Sequence, residues 1–232
     1  MKKIMILGGS EAQLPAIIRA KELGYRTFCC DMYEDAYCRD YADEFEQIST
    51  LDFDKLDEAM DMHKPDGIMT LASDRPMPTL SRLAEKHGLN SVSVDTATTA
   101  TNKYLCRLRL KEKGVAIPFF HKVESKEELI QSAKKLNKYP YILKPTGNSG
   151  SRGIYKIDNE SELEEAYKYS NQFNVNGLLI LEEFMDTALA QSIVIVICFF
   201  RIERRLYGGI ARVGDRSFRQ AFANVCVIRT VN

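Results

Sequence analysis

Over about the first ninety residues, short β-rich runs alternate with stretches whose apolar residues recur at helical spacing. Lys3–Leu7 is one such run, and Gly8-Gly9-Ser10 ends it. Leu14, Ile17, Ile18 and Leu23 then follow a helical period that Gly24 closes. Arg26–Cys30, Glu44–Ile48 and Gly67–Leu71 read as further strands, and Phe53–Met62 and Pro78–Lys86 as helices. Parallel neighbours need a long crossover, usually a helix, so this alternation predicts a parallel sheet covered on both faces. Adjacent Cys29 and Cys30 then point to opposite faces.

The pattern changes near Asp95. A single helix is predicted from Asp95 or Thr96 through Lys113, ended by Gly114 with Pro118 beyond it. Phe119–Val123 reads as a strand. Ser125–Leu136 reads as a helix opened by the capping box Ser125-x-x-Glu128. Tyr141–Lys144, Ile154–Ile157 and Leu178–Leu181 are strand-like, and Asn159 caps a helix that ends near Ser170. This half predicts an α+β unit with an antiparallel sheet, so the whole is of α/β class with a boundary between Asp95 and Gly114.

The stretch Tyr139–Ile157, YPYILKPTGNSGSRGIYKI, carries the chemistry. An apolar run ends in Lys144-Pro145, and a small-residue loop, Thr146–Gly153, joins it to the next run. Glycines at 147, 150 and 153 let the backbone turn its N–H groups toward one point, which makes an anion pocket. Lys144 and Arg152 add positive charge. A Walker A loop needs G-x-x-x-x-G-K-[ST] opening a helix; this loop holds no lysine, and the residues after it are β-prone. An ordinary hairpin whose glycines only supply positive φ stays open as the alternative.

Other chemistries find less support. Thirty-two basic residues balance thirty-two acidic ones, so no net positive field draws nucleic acid. The six cysteines form no C-x-x-C pair and the three histidines lie far apart, so no metal site is predicted and a reduced, cytoplasmic protein is expected. The start, MKKIMILGG, is too quickly interrupted for a signal peptide. Ile193–Phe200 is strongly apolar but far short of the roughly 20 residues that span a membrane, and reads as a buried strand with Leu206–Ala211 as partner. Gly8-Gly9-Ser10 sits where dinucleotide-binding proteins carry G-x-G-x-x-G, but the third glycine is missing and Asp31 is the only acid near the ribose position. A tight turn holding part of a substrate fits better.

Four features stand in order: Lys103 within NKYLCRLRLKEKGVAIP, Lys144, the glycine loop, and ILEEFM at 180–185. Together they resemble the ATP-grasp superfamily, which includes biotin carboxylase, D-alanine–D-alanine ligase and the large chain of carbamoyl-phosphate synthase. The resemblance covers roughly Met1–Asp186. It implies a Rossmann-like pre-ATP-grasp domain over 1–95 and a helical connection over 96–114. An ATP-grasp lid subdomain over 115–186 and a remainder over 187–232 complete the chain. The resemblance assigns Lys103, Lys144 and the loop residues Gly147, Asn148, Ser149, Gly150, Ser151, Arg152 and Gly153 to ATP phosphates. Glu182, Glu183 and Met185 become the adenine hinge, through the Glu183 carbonyl and the Met185 N–H. The substrate is expected near Gly9, Ser10, Ser73 and Asp74, since the carboxyl ends of parallel strands form the usual crevice; Ser73-Asp74 reads equally well as a helix cap.

The implied reaction is ATP-dependent ligation of a carboxylate to an amine or thiol through an acyl phosphate, with Mg²⁺ on the phosphates and small-molecule partners. A homodimer stays open. After Asp186 the pattern departs. The expected ribose-binding acid is missing from Thr187–Ser192, and of the later carboxylates Glu203 and Asp215 neither sits in a magnesium motif. The tail reads as frameshifted, truncated or divergent. A non-catalytic ATP-grasp-like fragment acting as a binding or regulatory subunit is therefore the alternative to a ligase.

Overall fold

Strands β1 (Lys3–Leu7), β2 (Arg26–Asp31), β3 (Glu44–Gln47) and β4 (Gly67–Met69) pair in parallel in the order β3-β2-β1-β4. Helices α1 (Leu14–Glu22), α2 (Phe53–His63), α3 (Met77–Lys86) and α4 (Val94–Thr101) accompany them. The computed structural model describes residues 1–185, and a division between two compact units falls between Thr101 and Asn102. Successive residues on the central strands enter different cores. Met5, Leu7, Phe28 and Cys30 pack with Leu56 and Met60 of α2 and Leu80 and Leu83 of α3. Ile6 and Cys29 pack with Ile17 of α1 and Cys38. The strand alternation thus places Cys29 and Cys30 on opposite faces, and burial pushes the Cys29 thiol up to about 12, which keeps it protonated.

The second unit begins with α5 (Lys103–Glu112), followed by β5 (Phe120–Val123), α6 (Lys126–Leu136), β6 (Tyr141–Pro145), β7 (Tyr155–Ile157), α7 (Leu163–Gln172) and β8 (Leu179–Glu183). The four strands form an antiparallel sheet in the order β5-β8-β6-β7. Tyr141, Leu143, Leu179 and Leu181 face α6 and α7 and bury their side chains against Leu129, Ala133, Leu163 and Ala166. Each such large apolar side chain contributes about 1.5–3 kcal/mol. The register sets the opposite face as well: Ile142 lies across from Glu182, and Lys144 across from Ile180.

The structure corrects one expected helix. The run from Asp95 to Lys113 is two helices, not one, because Asn102 is extended (φ −108°, ψ 112°) and its side-chain oxygen accepts from the N–H groups of Tyr104 and Leu105. Asparagine competes well for the open N–H groups of a helix start, so it ends one helix and caps the next. Two caps also differ in detail. Ser125 accepts from the Glu128 N–H, but the Glu128 carboxylate accepts from the Glu124 N–H rather than closing on Ser125. Asn159 accepts from Ser161 and starts a short 3-10 turn, Glu160–Glu162, which runs into α7. The strands expected at Ile193–Phe200 and Leu206–Ala211, and the whole of 187–232, lie outside the described residues. Among the described residues no helix is long and apolar enough to cross a membrane.

Candidate functional site

β6 and β7 form the hairpin read from the sequence, with Tyr141 opposite Ile157 and Leu143 opposite Tyr155. The loop between them needs its glycines. Gly150 and Gly153 have φ of +69° and +78°, and a Cβ on Gly153 would lie 2.7 Å from the Phe173 Cβ and 2.8 Å from the Pro145 Cγ. A Cβ on Gly147 would press the Asn176 amide at 3.1 Å. The loop is anchored at its base. Thr146 is fully buried, its N–H and hydroxyl both donate to the Leu178 carbonyl, and the Asn148 amide donates to the Phe173 carbonyl. Ser149 N–H is taken by the Asn148 side chain, Ser151 is left-handed (φ 58°), and the Arg152 guanidinium folds back on the Ser149 carbonyl. Among the described residues, the N–H groups of Gly147, Gly150 and Gly153 have no hydrogen-bond acceptor.

Both lysines reach this loop or its root. Lys103 opens α5; its N–H donates to the Thr146 carbonyl at 3.0 Å and its ammonium donates to the Asn148 carbonyl. Lys144 ends the strand that feeds the loop, and its ammonium lies 2.5 Å from Glu182 Oε2. That pair follows from register. Lys144 faces Ile180 across the β6–β8 ladder, so Glu182 is its diagonal neighbour on the same face, within reach of a long side chain. Glu182, which is buried, also accepts from Arg107 of α5: Nε at 2.8 Å to Oε1 and Nη2 at 3.4 Å to Oε2. Burial pushes the Glu182 carboxyl up, but the Lys144 and Arg107 charges outweigh it and hold the carboxyl below the usual range.

The hinge residues are placed at the end of β8. Glu183 donates its N–H to the Phe119 carbonyl at 2.9 Å and gives its carboxylate to Lys138 at 2.6 Å. Phe184 donates to the Pro140 carbonyl and has the Lys156 ammonium 4.9 Å from its ring centre, and Met185 is the next residue. The Glu182 carboxylate is an interior counter-ion to Lys144 and Arg107. Arg107 was missed by sequence reasoning. The available signal was its spacing, four residues after Lys103, which sets both on one face of α5.

The expected substrate residues lie in the first unit. Gly8, at φ +106°, donates to the Cys30 carbonyl, and Gly9 donates to Asp31 Oδ2 at 2.6 Å. A Cβ on Gly9 would sit 2.9 Å from the Ala36 Cβ. Asp31 is thus spent on the turn itself, and the dinucleotide reading loses both its acid and its open N–H. Buried Gln13, also missed, links the turn to the end of β4: it accepts from the Ser10 hydroxyl and donates to the Leu71 carbonyl at 2.6 Å. Ser73 and Asp74 lie just beyond. They do not cap α3, whose N-cap is Pro76 without a side-chain bond. No cluster of three His, Cys, Asp or Glu side chains among the described residues could hold a metal ion.

Residues 108–204 match the profile of the ATP-grasp domain. The formate-dependent phosphoribosylglycinamide formyltransferase of Maridesulfovibrio salexigens is 30% identical over 189 residues, 80% of this chain and 48% of that protein. The N5-carboxyaminoimidazole synthetase of Staphylococcus aureus, solved with ADP, superposes with TM-score 0.65 at 23% identity, covering 79% of this chain and 48% of that one. The biotin carboxylase domain of Hydrogenobacter thermophilus 2-oxoglutarate carboxylase, solved with MgADP and bicarbonate, gives TM-score 0.63 at 23% identity over 80% of this chain and 44% of that one. The chain belongs to the ATP-grasp superfamily. It spans about half the length of the curated relatives it matches.

Proposed function

We propose that the second unit binds ATP, with its phosphates beneath the Thr146–Gly153 loop and its adenine at Glu183–Met185, in an ATP-dependent carboxylate–amine ligase. One observation carries the reading: Lys103 binds the loop at Asn148, Lys144 stands at the root of the same loop, and among the described residues the loop's glycine N–H groups have no acceptor. Cations and undedicated N–H groups are what a polyphosphate needs, and they are fixed before it arrives. In the ligation a carboxylate oxygen attacks the γ-phosphorus, the bond to the β–γ bridging oxygen breaks, and ADP leaves. The amine then attacks the acyl carbon, phosphate departs, and the amine loses a proton. Lys103, Lys144 and the loop offset charge in the first step and keep water away. Among the described residues no cluster of three His, Cys, Asp or Glu side chains stands ready to hold Mg²⁺. The curated relatives are named for formate and phosphoribosylglycinamide, which makes formate the proposed carboxylate and phosphoribosylglycinamide the proposed amine.

Calorimetric titration tests the reading. ADP and ATP bind the folded chain, and Lys144→Met lowers the affinity at least about tenfold, the loss of one charge-assisted contact. A folded chain without affinity for either nucleotide overturns it. Phosphate release from ATP that depends on both formate and phosphoribosylglycinamide tests the substrate assignment separately.

A further inference from the structure

We propose that Arg107 is a positioning residue for the nucleotide phosphates, acting on Lys144 through the carboxylate of Glu182. The inference rests on the nucleotide reading above and deepens it. Glu182 projects from β8 on the face that carries Lys144, and α5 covers that face: the Tyr104 ring meets Phe120 edge-on at 5.9 Å. One turn of α5 therefore delivers two groups. Lys103 goes to the loop, and Arg107 goes to the acid that holds the other lysine. The three side chains are withdrawn from solvent, at 14% exposure for Lys144, 18% for Arg107 and 5% for Glu182.

The geometry explains why a guanidinium serves here. Glu182 Oε1 is given to Arg107 Nε, while Oε2 is shared between Arg107 Nη2 and the Lys144 ammonium. The fork fixes the plane of the carboxylate and draws part of its charge away from Lys144. Lys144 is then aimed by Glu182 without being fully neutralised by it. Remove Arg107, and the buried carboxylate has Lys144 alone. The lysine closes on it and is withdrawn from an incoming phosphate.

Titrations of ADP, tripolyphosphate and adenosine into the full chain separate this from a purely structural role. Arg107→Met is expected to weaken ADP and tripolyphosphate about tenfold and leave adenosine unchanged; Arg107→Lys, which keeps the charge but not the fork, costs about threefold. Losing Arg107 also removes one of the two charges that keep Glu182 ionised. In Arg107→Met, ADP affinity therefore rises as pH falls and the protonated Glu182 releases Lys144, at a higher pH than in the wild type. In a Glu182→Gln background, Arg107→Lys has no further effect on ADP, and this cycle stands even if Arg107→Met does not fold. Wild-type affinities and pH profile in Arg107→Met, or an undiminished effect of Arg107→Lys in the Glu182→Gln background, overturn the inference. The nucleotide reading then survives, provided Lys144→Met still weakens ADP. If Lys144→Met binds ADP as the wild type does, that reading fails first.

Discussion

Among the described residues, two glycine turns that follow strands differ in what their N–H groups meet. At Gly8-Gly9 the protein answers its own donors: Gly8 gives its N–H to Cys30 and Gly9 to Asp31, while the Cys38 N–H binds the Gly9 carbonyl. At Thr146–Gly153 the anchoring groups sit at the base of the loop, and the glycine N–H groups have no acceptor among the described residues. Two glycines in a row therefore say little about ligand binding. What distinguishes an anion site is whether the surrounding chain has already claimed the N–H groups, and which charges stand beside those it has not.

Breaking the second turn has the larger consequence. Gly153→Ala sets a methyl 2.7 Å from the Phe173 Cβ in a left-handed conformation. Overpacking and backbone strain together cost about 3 kcal/mol. Chemical denaturation of the second unit should show this loss, together with loss of ADP affinity. At the first turn the comparable change is Asp31→Asn. The Asp31 carboxylate accepts from Gly9 at one oxygen and from Tyr33 at the other, and a carboxamide can accept at one only. One N–H then faces an amide N–H, which costs about 1–2 kcal/mol. Denaturation reports that loss, and ADP affinity stays at the wild-type value. An Asp31→Asn chain that no longer binds ADP would break the distinction between the turns.

The sequence carried more of the fold than of the site, for a physical reason. Strand alternation and helical periods are local, so the parallel sheet of the first unit and the hairpin around the glycine loop were legible from spacing, whereas the strand order was not. Asn102 hid inside a helical period because a cap reads as one more polar residue until its neighbours' N–H groups are seen to need it. Arg107 and Glu182 are 75 positions apart, and nothing local says that an acid after an apolar strand turns inward. Register does say it: once Leu179 and Leu181 face the core, Glu182 must share the other face with Lys144. Gln13 was missed similarly, since its value lies in reaching the far end of β4.

The smallest expected effect contrasts two acids whose pKa is lowered, one in each unit. Asp43 is more than one-third exposed at its side chain, against 5% for Glu182. Burial raises the Asp43 carboxyl, but hydrogen bonds from the Thr27 N–H and hydroxyl, and Lys21 at 3.0 Å, outweigh it. In Asp43→Asn the amide oxygen can still accept from Thr27, so mainly the solvent-screened Lys21 contact is lost, about 0.5 kcal/mol. A carboxyl held lower in the folded state than in the unfolded chain stabilises above the unfolded value, about 3.9, and that contribution disappears as pH falls through the folded value. The melting temperatures of wild type and Asp43→Asn should therefore differ slightly at pH 7 and converge below about pH 4, with ADP affinity equal throughout. A gap that widens on acidification would contradict the lowered Asp43. Any change in ADP affinity would show that the paired acids of the first unit, like Glu182 in the second, act on the nucleotide.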